Sequence, residues 1–376
     1  MKVPLFDVDL GAEEEAAVLE TLRSKWISTG PRCAAFEQAF ATAVGSEHAI
    51  AVSNGTAALH LAMVGCNIEP GDEVIVPSLT FVATANAARY VGAKVIFADV
   101  SSERDLTIAP QAIAELITPR TKAIIVMHYA GFPCEMDAIM HLADRHGISV
   151  IEDACHGVLS TLNGRALGTI GRAGCFSFFP NKNMTTAEGG MVVTNDAELA
   201  RRVRLLRSHA MTTVSYDRAR GHAASYDVVD LGYNYRLDDL RAALGIVQLS
   251  KMPDDLALRA RLRAAYEQML AGLDEVVVPF SGESNESRSN HIMPIVLRGS
   301  DRARRDKVRH ELQERGVQTS VHYPPAHQLS TFAGTAWSLP VTERVGNSLI
   351  TLPLFKLMTQ EQLAYVVETL KTVLAQ

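Results

Sequence analysis

What this chain lacks narrows its class before any motif is read. Nowhere do about 18 apolar residues run together, the length a membrane-crossing helix needs. The N-terminus, MKVPLFDVDLGAEEEA, carries acids where a secretory signal requires an apolar stretch. Both absences predict a soluble, cytoplasmic protein. No CxxC pair occurs among the five cysteines, Cys33, Cys66, Cys134, Cys155 and Cys175, which suits a reducing compartment. Cys66, Cys155 and Cys175 lie in apolar surroundings and read as small hydrophobes. Basic stripes are missing too: Lys+Arg number 36 against 42 Asp+Glu, a net charge of -6, so nucleic acid is not an expected partner. The one arginine cluster, Arg201, Arg202, Arg204 and Arg207, opposes Leu199, Val203 and Leu206 at helical spacing and reads as a solvated helix face. Neither a GxxxxGK[ST] phosphate loop nor a dinucleotide GxGxxG is present. Repeats, low-complexity tracts and an appended helix-turn-helix are absent as well.

What is there is an alternation. The chain has 376 residues, 47% of them hydrophobic, enough for one large and one small domain. An acid-led helix over Ala12–Ser24 and a second with Phe36, Phe40 and Ala43 inward precede a strand at Ala49–Ser53. Strands at Glu73–Val76, Lys94–Ala98, Lys122–Met127 and Ile148–Ile151 then alternate with helices at Phe81–Tyr90, Gln111–Leu116 and Met136–His146, predicting a mostly parallel, doubly wound α/β sheet. We place the domain boundary at Met252-Pro253, giving a large domain over 1–252 and a smaller α+β domain over 253–376. The latter has a helix at Asp254–Leu273, strands near Val276–Pro279 and His291–Leu297, and helices at Arg302–Arg315 and Gln360–Leu374.

Chemistry concentrates between Val150 and Asp196. The apolar run ending at Ile151 stops at Glu152 and Asp153, as a buried parallel strand does at the edge carrying its site. His156 follows three residues later. A short strand then sets Phe176 and Phe178 on one face and Cys175, Ser177 and Phe179 on the other, breaks at Pro180, and leaves Lys182 on a loop between two strands. A loop lysine is ordinarily a solvated charge. Flanked by Asn181 and Asn183 and downstream of an acid-histidine turn, it also suits carbonyl chemistry, which needs an amine whose charge is disfavoured. Ser53, Asn54 and Thr56 open a helix whose first amides suit an anion, and they equally suit plain helix capping.

Taken in order, Gly55-Thr56-Ala57-Ala58-Leu59, PSLTFVATANA from Pro77, Glu152-Asp153-Ala154, Phe176-Ser177-Phe178, Lys182, Glu188-Gly189-Gly190 and Gly232-Tyr233-Asn234-Tyr235-Arg236 make the chain resemble the DegT-type nucleotide-sugar aminotransferases. The likeness runs from Ile27-Ser28-Thr29-Gly30-Pro31 to Leu352-Pro353-Leu354-Phe355. It implies the fold type I of pyridoxal-phosphate transferases and pyridoxal 5'-phosphate as cofactor. It further implies Lys182 as the lysine of the internal aldimine and proton shuttle, Asp153 as the partner of the pyridine nitrogen, and His156 beside the ring hydroxyl. Phe81 is the implied stacking aromatic, with Thr56, Ala57 and Ser177 on the phosphate. Asn234 would be lent by a neighbouring subunit, so a homodimer with shared sites is implied. L-glutamate is the implied donor and a nucleotide-linked keto-sugar the acceptor, with Arg236, Trp26, Thr29, His322 and Tyr323 as candidate substrate contacts; Arg236 equally suits a structural role. His128-Tyr129-Ala130-Gly131 and the polar stretch 208–230 resemble the branch acting at sugar position four. A sugar dehydratase, a cyclitol aminotransferase and a non-catalytic regulator on the same fold are the alternatives, and the presence of Lys182 argues against dehydration. No residue is assigned to a metal.

Overall fold

The computed structural model describes residues 1–213, 225–282, 287–332 and 337–376; the middle of the irregular stretch at 208–230 therefore lies outside the described residues. Strands form where branched apolar residues run together. β2 (Glu73–Pro77), β4 (Thr121–Met127) and β5 (Ser149–Asp153) bury nearly every side chain on both faces, as parallel strands covered by helices do. With β1 (His48–Val52), β3 (Lys94–Ala98), β8 (Ala173–Ser177) and β9 (Gly190–Thr194) they form a seven-stranded sheet in the order β1-β9-β8-β5-β4-β2-β3. A small hairpin, β6 (Thr161–Leu162) with β7 (Arg165–Ala166), stands apart. The sheet is mostly parallel, as expected. Only β9 runs backwards, antiparallel to both β8 and β1. The carboxyl ends of β1, β2, β4, β5 and β8 consequently share one edge with the amino end of β9.

Helices α1 (Ala12–Arg23), α2 (Pro31–Val44), α3 (Gly55–Gly65), α4 (Val82–Tyr90), α5 (Pro110–Leu116), α6 (Met136–His146) and α7 (Ala197–Leu206) surround the sheet. The alternation in β8 is resolved as the sequence predicts: Phe176 meets Phe40 of α2 at 5.0 Å between ring centroids, and Phe178 meets Phe36 at 5.4 Å. The inward face of α2 is corrected by one residue, since Ala41 and Val44 are buried while Ala43 is exposed. The arginine cluster is corrected at one end. Arg207 turns inward to pair with Glu37 and donates to the Ala51 carbonyl at 2.7 Å, tying α7 to β1.

A second core lies around a three-stranded antiparallel sheet, β10 (Val276–Val277), β11 (Met293–Leu297) and β12 (Leu349–Leu352), with helices at Met252–Leu270, Arg302–Glu314 and Gln360–Leu374. Tyr266, Ile295, Leu297, Ile350 and Val366 are buried in it together with Val3, whose N–H donates to the Gly316 carbonyl at 2.9 Å. The first two of these strands are shorter than their apolar runs suggested. Helix Pro340–Ser348 and β12 are elements the sequence pattern does not announce. Among the described residues no helix is long and apolar enough to cross a membrane.

Candidate active site

The shared strand edge opens into a cavity of about 650 Å³, lined by residues from β5, β8, the amino ends of α3 and α4, and the 322–323 segment. Asp153 enters from the last position of β5 and is 4% exposed. Its two oxygens are each held: Cys155 donates its backbone N–H to Oδ1 at 3.2 Å, and Thr84 donates its hydroxyl to Oδ2 at 2.7 Å. Glu152, its neighbour, points to the other face and is structural. It accepts from the amides of Gly168, Ile170 and Gly171 at 2.6–2.7 Å and from His128 Nε2 at 2.8 Å. Burial pushes that carboxyl up, but His128 and the amides outweigh it and hold it low.

Lys182 reaches the same cavity from the loop between β8 and β9. Burial lowers its ammonium pKa, with Cys155 and Asp153 opposing. This is the condition under which a lysine becomes a nucleophile. The loop is pinned by Asn183, whose Nδ2 donates to the Ser289 carbonyl at 2.7 Å and whose Oδ1 faces His291 Nδ1 at 3.0 Å. Three imidazoles surround the amine, and all stay neutral: burial, then the charge of Lys182, holds His322 at about 4, while His156 and His291 are driven well below their ordinary value chiefly by burial.

His156, expected beside the ring hydroxyl, lines the cavity and has protein partners of its own. Its Nδ1 accepts from the Ala130 N–H at 3.3 Å and its Nε2 lies 2.9 Å from the Tyr323 hydroxyl, so both ring nitrogens are engaged. An accepting Nδ1 fixes the tautomer with the proton on Nε2, which then donates to Tyr323 and leaves the tyrosine proton for the cavity. Tyr323 also lies 5.7 Å from Phe81 between ring centroids. Phe81 is 53% exposed on the cavity wall, as a stacking surface must be.

At the amino end of α3 the capping reading is observed, and it leaves room for the anion-binding one. Asn54 Oδ1 accepts from the Ala57 N–H at 2.8 Å, a helix cap. The amides of Gly55 and Thr56 remain first-turn donors that helix geometry cannot satisfy, and these residues line the cavity opposite Ser177. Gly55 is required there: a Cβ would come within 2.8 Å of Ser177 Cβ. Asn181 also lines the cavity, with a buried Oδ1 that has no protein partner. An aromatic wall, a carboxylate, an amine, a cluster of anion-binding amides and an unsatisfied amide oxygen together fit pyridoxal phosphate.

Some expected contacts lie elsewhere. Asn234 is exposed outside this cavity, on a segment anchored beside β1 by the Ser53 N–H donating to the Tyr235 carbonyl at 2.7 Å. Arg236 donates to Ser208 Oγ at 3.2 Å. Trp26 Nε1 donates to the Thr29 carbonyl at 3.3 Å, and Thr29 Oγ1 to the Leu237 carbonyl at 2.5 Å; neither lines the cavity. Residues to which the sequence assigned no site role do: Cys155, Glu188, Tyr90, Tyr235 and His60. Tyr235 holds His60 Nδ1 at 3.1 Å. Only the spacing of His60 four residues after Thr56, on one helix face, could have flagged it.

Comparison with known proteins agrees with this geometry. The model of the DegT/DnrJ/EryC1/StrS aminotransferase family matches residues 8–371. Among solved structures, DesV of S. venezuelae, captured with a ketimine intermediate, is 34% identical over 99% of this chain and 98% of its own, with a TM-score of 0.90. PseC of Helicobacter pylori, an aminotransferase of pseudoaminic acid biosynthesis, is 29% identical over 99% of both chains, with a TM-score of 0.92. Spr1654 of Streptococcus pneumoniae, solved in PLP and PMP forms, is 27% identical; its PLP form covers 99% of this chain and 98% of its own at a TM-score of 0.93.

Proposed function

The chain belongs to the DegT/DnrJ/EryC1/StrS aminotransferase family, and from that premise we propose that it moves an amino group from L-glutamate to a nucleotide-linked 4-keto-6-deoxy sugar. It is a pyridoxal-phosphate-dependent sugar aminotransferase. The observation that supports the amine chemistry is the convergence of a charge-disfavoured Lys182, the doubly held Asp153 and the exposed face of Phe81 on one cavity; the donor and the sugar rest on the family resemblance.

When bound, pyridoxal phosphate supplies a carbonyl that amines condense with and a ring that accepts electrons from the neighbouring carbon. The residues divide the remaining work. Lys182 would hold the cofactor through its Nζ, and the same amine, when free, is placed to take a proton from the substrate carbon and return it. Asp153 would pair with the ring nitrogen, Phe81 would cover one ring face, and Thr56, Ala57 and Ser177 would hold the phosphate. His322 and Tyr323 face the side open to substrate, where the tyrosine hydroxyl proton is available to a sugar oxygen. Asn234 and Arg236, sitting together on the surface segment beside β1, serve the site of a second copy in a homodimer, with Arg236 as the candidate clamp for the donor carboxylate. Residues 1–252 form the cofactor domain in this reading and 253–376 the smaller one, and the enzyme works in the cytoplasm.

The test is the visible spectrum of the purified protein with pyridoxal phosphate, before and after L-glutamate is added without sugar. The band of the lysine-bound cofactor should form, then give way to that of the aminated cofactor, and Lys182→Ala should show neither. A band that glutamate leaves untouched would reject the donor. A sedimentation mass of one chain with full turnover would reject the shared site.

A further inference from the structure

The Asp153 carboxylate is served by a short relay of buried hydroxyls that the mechanism above does not use. Thr84, in the first turn of α4, is fully buried and places Oγ1 2.7 Å from Asp153 Oδ2. Thr80, 1% exposed, places its own Oγ1 2.7 Å from that of Thr84. Proton accounting orders the chain. A carboxylate only accepts, so the single Thr84 proton goes to Asp153, and Thr84 must then accept the proton of Thr80. The Met127 sulfur, 3.2 Å from Thr80, is a second and weaker acceptor for that proton. Hydrogen bonds aligned in this way onto a charge strengthen one another.

We propose that Thr84, backed by Thr80, is a positioning residue for the cofactor: it fixes the rotation of the Asp153 carboxylate so that its remaining lone pairs face the ring nitrogen. The inference rests on the cofactor reading given above. Among the described residues Asp153 is otherwise anchored by Cys155 alone, through its N–H at 3.2 Å and its thiol; a thiol is a weak donor, so the carboxylate plane is held less firmly once Thr84 is lost. The titratable groups that face Asp153 are Lys182, Cys155, Cys175 and Tyr323; none of them can replace a hydroxyl donor at Oδ2 without leaving its own partner or position. Thr84 therefore sets both the direction of the carboxylate and how much of its charge is directed into the cavity.

The experiment is a pH titration of the visible band of the cofactor-loaded protein, run on wild type, Thr84→Val, Thr84→Ser and Thr80→Val. Valine keeps the shape and removes the donor, leaving more charge on Asp153, so the proton on the cofactor-bound lysine nitrogen is held more strongly. The midpoint should move upward by about half a pH unit or more in Thr84→Val, and less but in the same direction in Thr80→Val. Thr84→Ser should return it to the wild-type value. Turnover at saturating substrate should fall about tenfold in Thr84→Val with KM for the donor little changed. An unmoved midpoint in both valine variants, or a serine variant no better than valine, overturns the proposal. A wild-type protein that forms no visible band instead defeats the cofactor reading itself, which separates the two failures.

Discussion

Lys182 stands between two influences of opposite sign. Burial disfavours its charge, while Asp153, facing it across the cavity, favours it. Removing the acid should leave burial opposed by Cys155 alone among these influences. In Asp153→Asn the amine is expected to become reactive at lower pH than in wild type, seen as a shift toward acid in the pH dependence of pyridoxal phosphate capture by the apoprotein. The captured cofactor should at the same time turn over at least about a hundredfold more slowly, because a ring-nitrogen charge partner is lost. A capture profile that stays put would mean that the acid does not act on the lysine. The residues of this pair were legible in the sequence because Asp153 sits where an apolar run breaks at a charge and Lys182 lies on the short loop that follows the break of an aromatic strand at Pro180. Thr84 was not, since inside VATANAARY a threonine looks like any helix residue until the strand carrying Asp153 is laid beside it. His156 was legible as a neighbour of this pair, while its protein partners were not. The Ala130 amide and the Tyr323 hydroxyl that occupy its nitrogens come from parts of the chain that no local pattern brings together.

At the scale of the element, the anion-binding end of α3 depends on close approach to β8. Gly55 has no room for a side chain: a Cβ would lie 2.8 Å from Ser177 Cβ, 3.2 Å from Ser177 Oγ and 3.3 Å from Cys155 Sγ. Its backbone angles are ones any residue adopts, so the obstacle is space and not strain. Gly55→Ala should therefore fold, push Ser177 away from the first-turn amides, and weaken pyridoxal phosphate binding by about tenfold or more. A fluorescence titration of the apoprotein measures this, and an unchanged dissociation constant would show that α3 and Ser177 do not act as one cradle. Elements of this kind were readable wherever pattern and packing coincide, as with Phe176 and Phe178 against α2. Strand order was less so. β9 enters between β1 and β8 and runs antiparallel to both, with His48 opposite Thr194, and a pairing that distant in sequence leaves no periodic trace. β12 escaped notice for a related reason: its four residues gain their identity as a strand only from β11 beside them.

For the whole molecule, the buried ionisable groups make stability fall with acid in two separate windows. His322 is held at about 4 by burial and by Lys182, His156 and His291 are driven further down, and His60 and His327 are shifted in the same direction, chiefly by burial. The unfolded chain takes up protons at these imidazoles from about pH 6.5 downward. The native chain does not, so it binds fewer protons and loses stability as the pH falls from about 6.5 toward 4, by at most about 1.4 kcal/mol per pH unit for each histidine. Glu14 acts lower. Burial raises its pKa, but Lys251, Gln248 and the Gly11 amide outweigh that and hold it at about 2. A carboxyl depressed on folding stabilises fully above its unfolded value near 4.5, and that contribution is lost between about 4.5 and 2. Its bonds to Lys251 at 2.8 Å and Gln248 at 2.9 Å join α1 to the helix at Asp239–Ser250 and the residue after it. The melting temperature of the apoprotein should accordingly decline on acidification through both windows. His322→Asn, which cannot titrate, should flatten the curve between about pH 6.5 and 4 only, and Glu14→Gln, less stable at neutral pH, should flatten it below about 4.5 only. Variants whose curves run parallel to the wild type through their own windows would show that these groups are titrating as they do in water. The burial that keeps the imidazoles around Lys182 neutral would then be too weak to keep its amine reactive.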